Sequence, residues 1–162
     1  VANIPYYLTS PLIRKFLESP PNQKQPEEII LMVQKEVAQR ICAGPPNMSI
    51  LAVSVQFYAK AKIISYVKKE NFWPKPKVDS AIIKIIPYKI NGPSTSAELF
   101  FKIVKAGFSQ PRKQLSNNLS KMLKLGKQQI NLWLLKNKIK AIQRAETLSV
   151  NDWLNLTKTF NK

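Results

Sequence analysis

Apolar residues follow two different textures along the chain, and the change comes near Tyr88. Before it they cluster in short dense runs. EEIILMVQ (27–34) is almost continuously apolar, the pattern of a strand covered on both faces. AKIISYVKK (61–69) and DSAIIKIIPY (79–88) are rich in β-branched residues and predict two further strands. SILAVSVQFYA (49–59) fits a buried helix or a strand, and its place between two strands favours helix. KEVAQRICA (35–43) predicts a short helix with Glu36 and Arg40 one turn apart, able to pair. TSPLIRKFLES (9–19) predicts another, with Ser10 as N-cap, Pro11 at the first helical position and an apolar face of Leu12, Phe16 and Leu17. Loops are expected at SPPNQKQP (19–26) and GPPN (44–47), and ENFWPKPK (70–77) cannot be regular because of its two prolines.

Beyond Tyr88 the period changes. KINGPSTS (89–96) predicts a linker, and helix-period segments then cover roughly 97–108, 112–124, 127–138 and 149–160. Ser149, with Asp152 three residues on, is a helix-start signal. The expected architecture is α/β over residues 1–90, the second half of an open, parallel sheet, followed by a small all-α domain over 91–162. Val1 and Ala2 read as the end of a strand whose beginning is missing, so the expectation is a chain truncated at its amino end.

Composition narrows the chemistry. The 162 residues include no His and a single Cys, Cys42, which argues against zinc and excludes an internal disulfide and every His-based nucleophile arrangement. The expectation is therefore a site without metal. No apolar run is long enough for a membrane span and no signal peptide is recognisable, which makes a cytoplasmic location, away from membranes, the expectation. Charge changes the picture most. The formal net charge is +17, with 13 basic and 6 acidic residues up to residue 90 and 13 basic against 3 acidic beyond it. Such an excess, denser in the shorter second part, favours a polyanionic partner, with nucleic acid first; a merely solvated basic surface is the alternative.

Two stretches carry candidate chemistry. In VANIPYYLTSP, the residues Asn3-Ile4-Pro5-Tyr6 follow a strand end, where ligands of open α/β sheets bind. Asn3 offers an amide donor and a carbonyl acceptor. Pro5 fixes the backbone so that the carbonyls before it can face a ligand, and Tyr6 supplies an aromatic face. These suit a planar base with an exocyclic amine. Acceptors that hold the amine hydrogens out of the ring plane return the lone pair to nitrogen, which can then attack an electrophilic methyl without a strong base. A capped strand-to-helix turn with no chemical role fits the same four residues. In NFWPKPKVDS (71–80), Phe72 and Trp73 precede a stiff segment with two lysines, suited to stacking on a splayed-out base beside phosphates. A surface loop that tucks one aromatic, such as Trp73, into the core fits equally.

Asn-Ile-Pro-Tyr with YLTSP after it, QKEVAQR (34–40), FWPKPKVDS (72–80), FSQPRKQLSNNL (108–119) and RAETLSVNDWLNL (144–156) together resemble the ribosomal RNA adenine dimethyltransferase family, nearest its small-subunit, KsgA-like members. The resemblance covers essentially the whole chain. It implies the C-terminal half of a Rossmann-like methyltransferase domain followed by a small helical RNA-binding domain, and a monomer when full length. It implies S-adenosylmethionine as cofactor and, as substrate, two adjacent adenines near the 3′ end of small-subunit ribosomal RNA within a pre-30S particle. By motif position, Asn3 and the carbonyls of Ile4 and Pro5 hold the target amine, and Asn3 borders the cofactor. Tyr6 and Phe72 stack on the flipped base. Lys75, Lys77, Arg112 and Lys113 are the implied RNA contacts. Two features depart from the family: AGPPNMSI (43–50) lacks the usual Gly and Tyr-Gly, and Pro111 stands where an Arg is usual. The family's Gly-rich cofactor loop is not in this sequence, whose glycines are Gly44, Gly92, Gly107 and Gly126. The expectation is that this portion alone is inactive. A catalytically silent RNA-binding or ribosome-assembly module, and an erythromycin-resistance type of large-subunit RNA methyltransferase, are the alternatives.

Overall fold

The computed structural model describes residues 1–3, 5–18, 26–88 and 96–160. The expected loop at 19–26 and the linker at 89–96 fall almost wholly outside the described residues. The chain forms two compact units, Val1–Cys42 with Val55–Gly92, and Ala43–Ser54 with Pro93–Lys162.

In the first unit, β1 (Ala2–Asn3) leads through a 3-10 turn (Tyr6–Leu8) into α1 (Thr9–Leu17), then β2 (Ile29–Gln34) and α2 (Lys35–Ile41). Next, α3 (Ile50–Tyr58) runs directly into β3 (Ala59–Val67), and a loop leads to β4 (Ser80–Pro87). The four strands are ordered β1-β2-β4-β3. β1 pairs parallel to β2, with Ala2 opposite Leu31 and Asn3 opposite Met32. β4 is antiparallel to both of its neighbours. The expectation of parallel strands therefore holds for β1 and β2 alone. The cause is connection chemistry: parallel neighbours need a crossover of a dozen or more residues, usually helical, whereas β3 and β4 are joined by a direct loop. A register irregularity between Ile63 and Ser65 interrupts their ladder.

Along β2, Ile29, Leu31 and Val33 are buried while Ile30 and Met32 are only half-buried, so one face is fully covered rather than two. Leu31 faces Ile83 and Val33 faces Ala81 across the ladder, all at 1% exposure or less. Burial of each of the Leu, Ile and Val side chains contributes about 1.5–3 kcal/mol. α1 starts earlier than its sequence signals suggested. The 3-10 turn feeds it directly, so neither Ser10 nor any other side chain caps it, and Pro11 sits in the first turn, where no intrahelical N–H is needed. Its buried stripe is Thr9, Ile13 and Leu17, and Phe16 lies outside.

The second unit holds α4 (Ala97–Gly107), α5 (Leu115–Leu123), α6 (Lys127–Lys136) and α7 (Val150–Lys158). Trp153, Phe100, Ile103, Leu115, Leu119, Ile130 and Leu134 are fully buried. α7 has the expected start: Ser149 Oγ accepts from the Asp152 amide and Asp152 Oδ2 accepts from the Ser149 amide at 2.8 Å. α6 ends with Lys138 in the left-handed region (φ 60°). The Ile139 amide donates to Leu134 O and the Lys138 amide to Leu135 O, the paired bonds of a Schellman turn, and Ile139 is buried beneath it. Gly107 closes α4 against the Trp153 indole.

Candidate nucleic-acid and methyl-transfer site

The site is built from two loops of the first unit. The first follows β1. Parallel pairing with β2 ends at Asn3, whose side chain is exposed at the carboxyl edge of the strand. The chain then turns, and the Leu8 amide donates to Pro5 O at 2.9 Å. That bond occupies one of the two lone pairs of the Pro5 carbonyl and leaves the other open. Ile4 lies outside the described residues. Tyr6 is half-buried, and its phenol is 2.8 Å from Ser80 Oγ, a fully buried hydroxyl at the start of β4. The ring is thus fixed at its far end, with its faces left to other contacts.

The second loop joins β3 to β4. Asp79 ties it down. Its carbonyl accepts from the Lys35 amide at 3.0 Å, and its Oδ1 accepts from the Lys69 amide at 3.2 Å. Its Oδ2 lies 3.6 Å from Lys35 Nζ. A 3-10 turn (Lys69–Asn71) then presents Phe72 and Trp73. Phe72 is half-buried, whereas Trp73 is 98% exposed, so Trp73 is not the tucked-in aromatic.

The two loops enclose a cleft of about 190 Å³. Asn3, Pro5 and Tyr6 line one side, and Phe72, Trp73, Pro74 and Pro76 line the other. Asn3, Pro5 and Tyr6 therefore share with Phe72, which lies far along the sequence from them, one concave surface. It has aromatic faces, an amide and a backbone carbonyl, and no ionisable side chain on its lining other than the Tyr6 phenol. Such a surface can take a flat, uncharged ring and hydrogen-bond its edge.

The basic candidates lie on two turns, one in each unit. Lys77 is exposed, and Lys75 Nζ pairs with Glu70 Oε1 at 3.0 Å. The hydrogen bond from Lys75, with a backbone hydrogen bond second, holds the Glu70 carboxyl below the usual carboxylate range. Arg112 and Lys113 belong to the second unit, on an exposed turn between α4 and α5. There the buried Asn118 donates its amide to Gly107 O at 2.7 Å and to Gln110 O at 2.9 Å, and the Lys113 amide donates to Gln110 O. Sequence reasoning missed both positioning groups, Ser80 and Asn118. Ser80 closes the FWPKPKVDS stretch, where nothing in the sequence distinguishes it from a strand-start serine. Asn118 is one of two adjacent asparagines in FSQPRKQLSNNL, and only its burial singles it out.

Burial pushes the Cys42 thiol up, away from the reactive thiolate. Among the described residues, no three His, Cys, Asp or Glu side chains gather as metal ligands. No described helix is long and apolar enough to cross a membrane.

The family model for ribosomal RNA adenine dimethylase matches residues 1–162. The chain is 40% identical, over all of its length, to the Ribosomal RNA small subunit methyltransferase A of Dehalococcoides mccartyi, and covers 55% of that protein. It is 42% identical, over 99% of its length, to the protein of the same name from Fusobacterium nucleatum, and covers 60% of it. It thus spans little more than half the length of these relatives. Among solved structures, a dimethyladenosine transferase from Plasmodium falciparum superimposes with a TM-score of 0.73 at 29% identity, over 96% of this chain and 64% of that one. The 23S rRNA methyltransferase ErmE gives the same TM-score at 21% identity, over 99% of this chain and 64% of that one, a likeness of fold. The fold is that of Rossmann-like rRNA methyltransferases, and the chain belongs to the ribosomal RNA adenine dimethylase family.

Proposed function

We propose that these residues are the base-binding and RNA-binding part of an S-adenosylmethionine-dependent enzyme. It dimethylates the exocyclic amine of two adjacent adenines near the 3′ end of small-subunit ribosomal RNA, and it acts during small-subunit maturation. The observation that carries the reading is the single cleft that gathers Asn3, Pro5, Tyr6 and Phe72. An adenine turned out of its helix stacks on Tyr6 and Phe72. The Asn3 side-chain carbonyl and the open lone pair of Pro5 O accept the amine hydrogens, so the nitrogen lone pair leaves conjugation with the ring and becomes nucleophilic. Tyr6 keeps its angle through Ser80. Lys75, Lys77, Arg112 and Lys113 neutralise phosphates.

Among the described residues, no glycine lies in a turn that could cradle a cofactor after a strand. Gly44 and Gly126 stand in open space, Gly107 is packed on Trp153, and none follows a strand as a phosphate- or nucleoside-cradling loop requires. Asn3, at the end of β1, is the residue we assign to the border of the cofactor. On this reading the methyl group comes from S-adenosylmethionine, and the 162 residues assayed alone are expected to be inactive.

The test is single-turnover methyl transfer by the full-length enzyme at saturating RNA. Asn3→Ala should slow the chemical step about 10²- to 10³-fold, the loss typical of one preorganised group. Phe72→Ala should weaken RNA capture instead. A near-normal rate for Asn3→Ala would make the turn structural and the mechanism wrong.

A further inference from the structure

The fold buries two of its three tryptophans in whole or in part and leaves the third in water. Trp153 is fully buried. Trp133 is half-buried, packs at a tilt against Phe160 with ring centroids 5.1 Å apart and donates its indole N–H to Thr159 Oγ1 at 3.0 Å. Trp73 is 98% exposed. An indole is among the largest apolar surfaces a side chain offers, and folding gains nothing from this one. It sits beside Phe72 on a loop pinned through Asp79, and it lines the rim of the base cleft.

The size of the cleft says what the rim is for. At about 190 Å³ it falls below the roughly 300–1,000 Å³ of sites that enclose drug-sized ligands, and suits one ring system. A nucleotide chain with one base inside must carry its next base past the rim. Exposed Lys75 and Lys77 follow Trp73 closely in sequence, where the connecting phosphates need cations. We propose that Trp73 is a second stacking site, which holds the RNA base next to the one in the cleft. The inference rests on the base-binding reading of that cleft. Stacking on an open indole is sequence-tolerant, and purines, with the larger face, gain most. The contact is made alike before and during methyl transfer, so it assists capture of the RNA and not the chemical step.

The experiment uses the full-length enzyme and a short target RNA with 2-aminopurine as either neighbour of the target adenosine. Fluorescence is read without methyl donor, and methyl transfer is read with it. In the wild type, binding should quench one of the two neighbours. Trp73→Ala should abolish that quenching and Trp73→Phe should retain it. Trp73→Ala should raise KM about 5- to 150-fold, the worth of one stacked base, with kcat within about twofold. With an abasic neighbour, wild type and Trp73→Ala should become equal. The inference is overturned if Trp73→Ala changes neither quenching nor KM, or if its penalty persists on the abasic RNA. If the wild type itself neither binds nor methylates the target, the base-cleft reading falls and takes this one with it. A normal wild type beside a silent Trp73→Ala sinks this inference alone.

Discussion

A methyl group on Gly107 would have nowhere to go. A Cβ there would overlap Trp153 Cη2 and lie 3.1 Å from a Leu115 methyl, and Trp153 is fully buried and cannot swing away. Overpacking of this kind costs about 1–3 kcal/mol, while the helix-propensity gain from Gly to Ala is at most about 1 kcal/mol and smaller at a helix end. Gly107→Ala should therefore lower the urea midpoint, and an unchanged midpoint would show that the indole shifts freely. Single residues were the hardest scale to read in advance. Asn3, Pro5, Tyr6 and Phe72 stood out because their types match the chemistry of an amine-bearing base. Ser80 and Asn118 did not, because a serine or asparagine acts by where its few polar atoms point, and that is settled only when distant elements meet. Trp73 carried no sign of whether it would be buried, since its neighbours suit either outcome.

Elements were more legible, except at their ends. Dense β-branched runs marked β2, β3 and β4, and the long apolar stretch before β3 is the expected helix. The sequence period carried α6 two residues too far because its stop signal contains no glycine: Lys138 takes the left-handed position itself. Lys138→Gly should then stabilise the second unit by about 0.5–1 kcal/mol, as relief of the Cβ clash outweighs the extra entropy of the unfolded chain. Equal or lower stability on urea unfolding would show that the lysine pays no conformational penalty there. In the β3–β4 loop, Glu70 is held ionised by Lys75. Its carboxyl titrates lower in the folded chain than in the unfolded one. The pairing is therefore complete above the ordinary glutamate range and disappears as pH falls through the lowered value. The pair is exposed, so the effect falls on Lys75 rather than on stability. Glu70→Gln should free Lys75 and tighten RNA binding at low salt, with a salt slope steeper by up to about one. Anisotropy titrations that match wild type would remove Lys75 from the interface.

For the molecule as a whole, charge is the dominant fact, and the sequence displayed it fully. If about 4–6 phosphates are neutralised, log affinity should fall with log salt at a slope of about −3 to −5. Arg112→Ala with Lys113→Ala should flatten it by about one or two. A flat response in the wild type, or no change in the double variant, would place the RNA elsewhere. The change of texture near Tyr88 was visible in the sequence. The grouping of Ala43–Ser54 with the later helices was not, because it depends on contacts such as the Met48 amide to Glu146 O at 2.9 Å, across about a hundred residues.

That grouping has a consequence for folding. α3 belongs to both units: Ile50–Ser54 falls in the second and Val55–Tyr58 in the first. Neither half is long enough to persist alone as a helix, since an isolated helix needs about 12–15 residues to be even marginal. Melting one end therefore deprives the other of its helical neighbours, so α3 is lost as a whole rather than by halves. Nor can the later unit be completed by the ribosome in one pass. Its first strip, Ala43–Ser54, leaves the exit tunnel before β3 and β4 exist and must wait for the rest of its own unit.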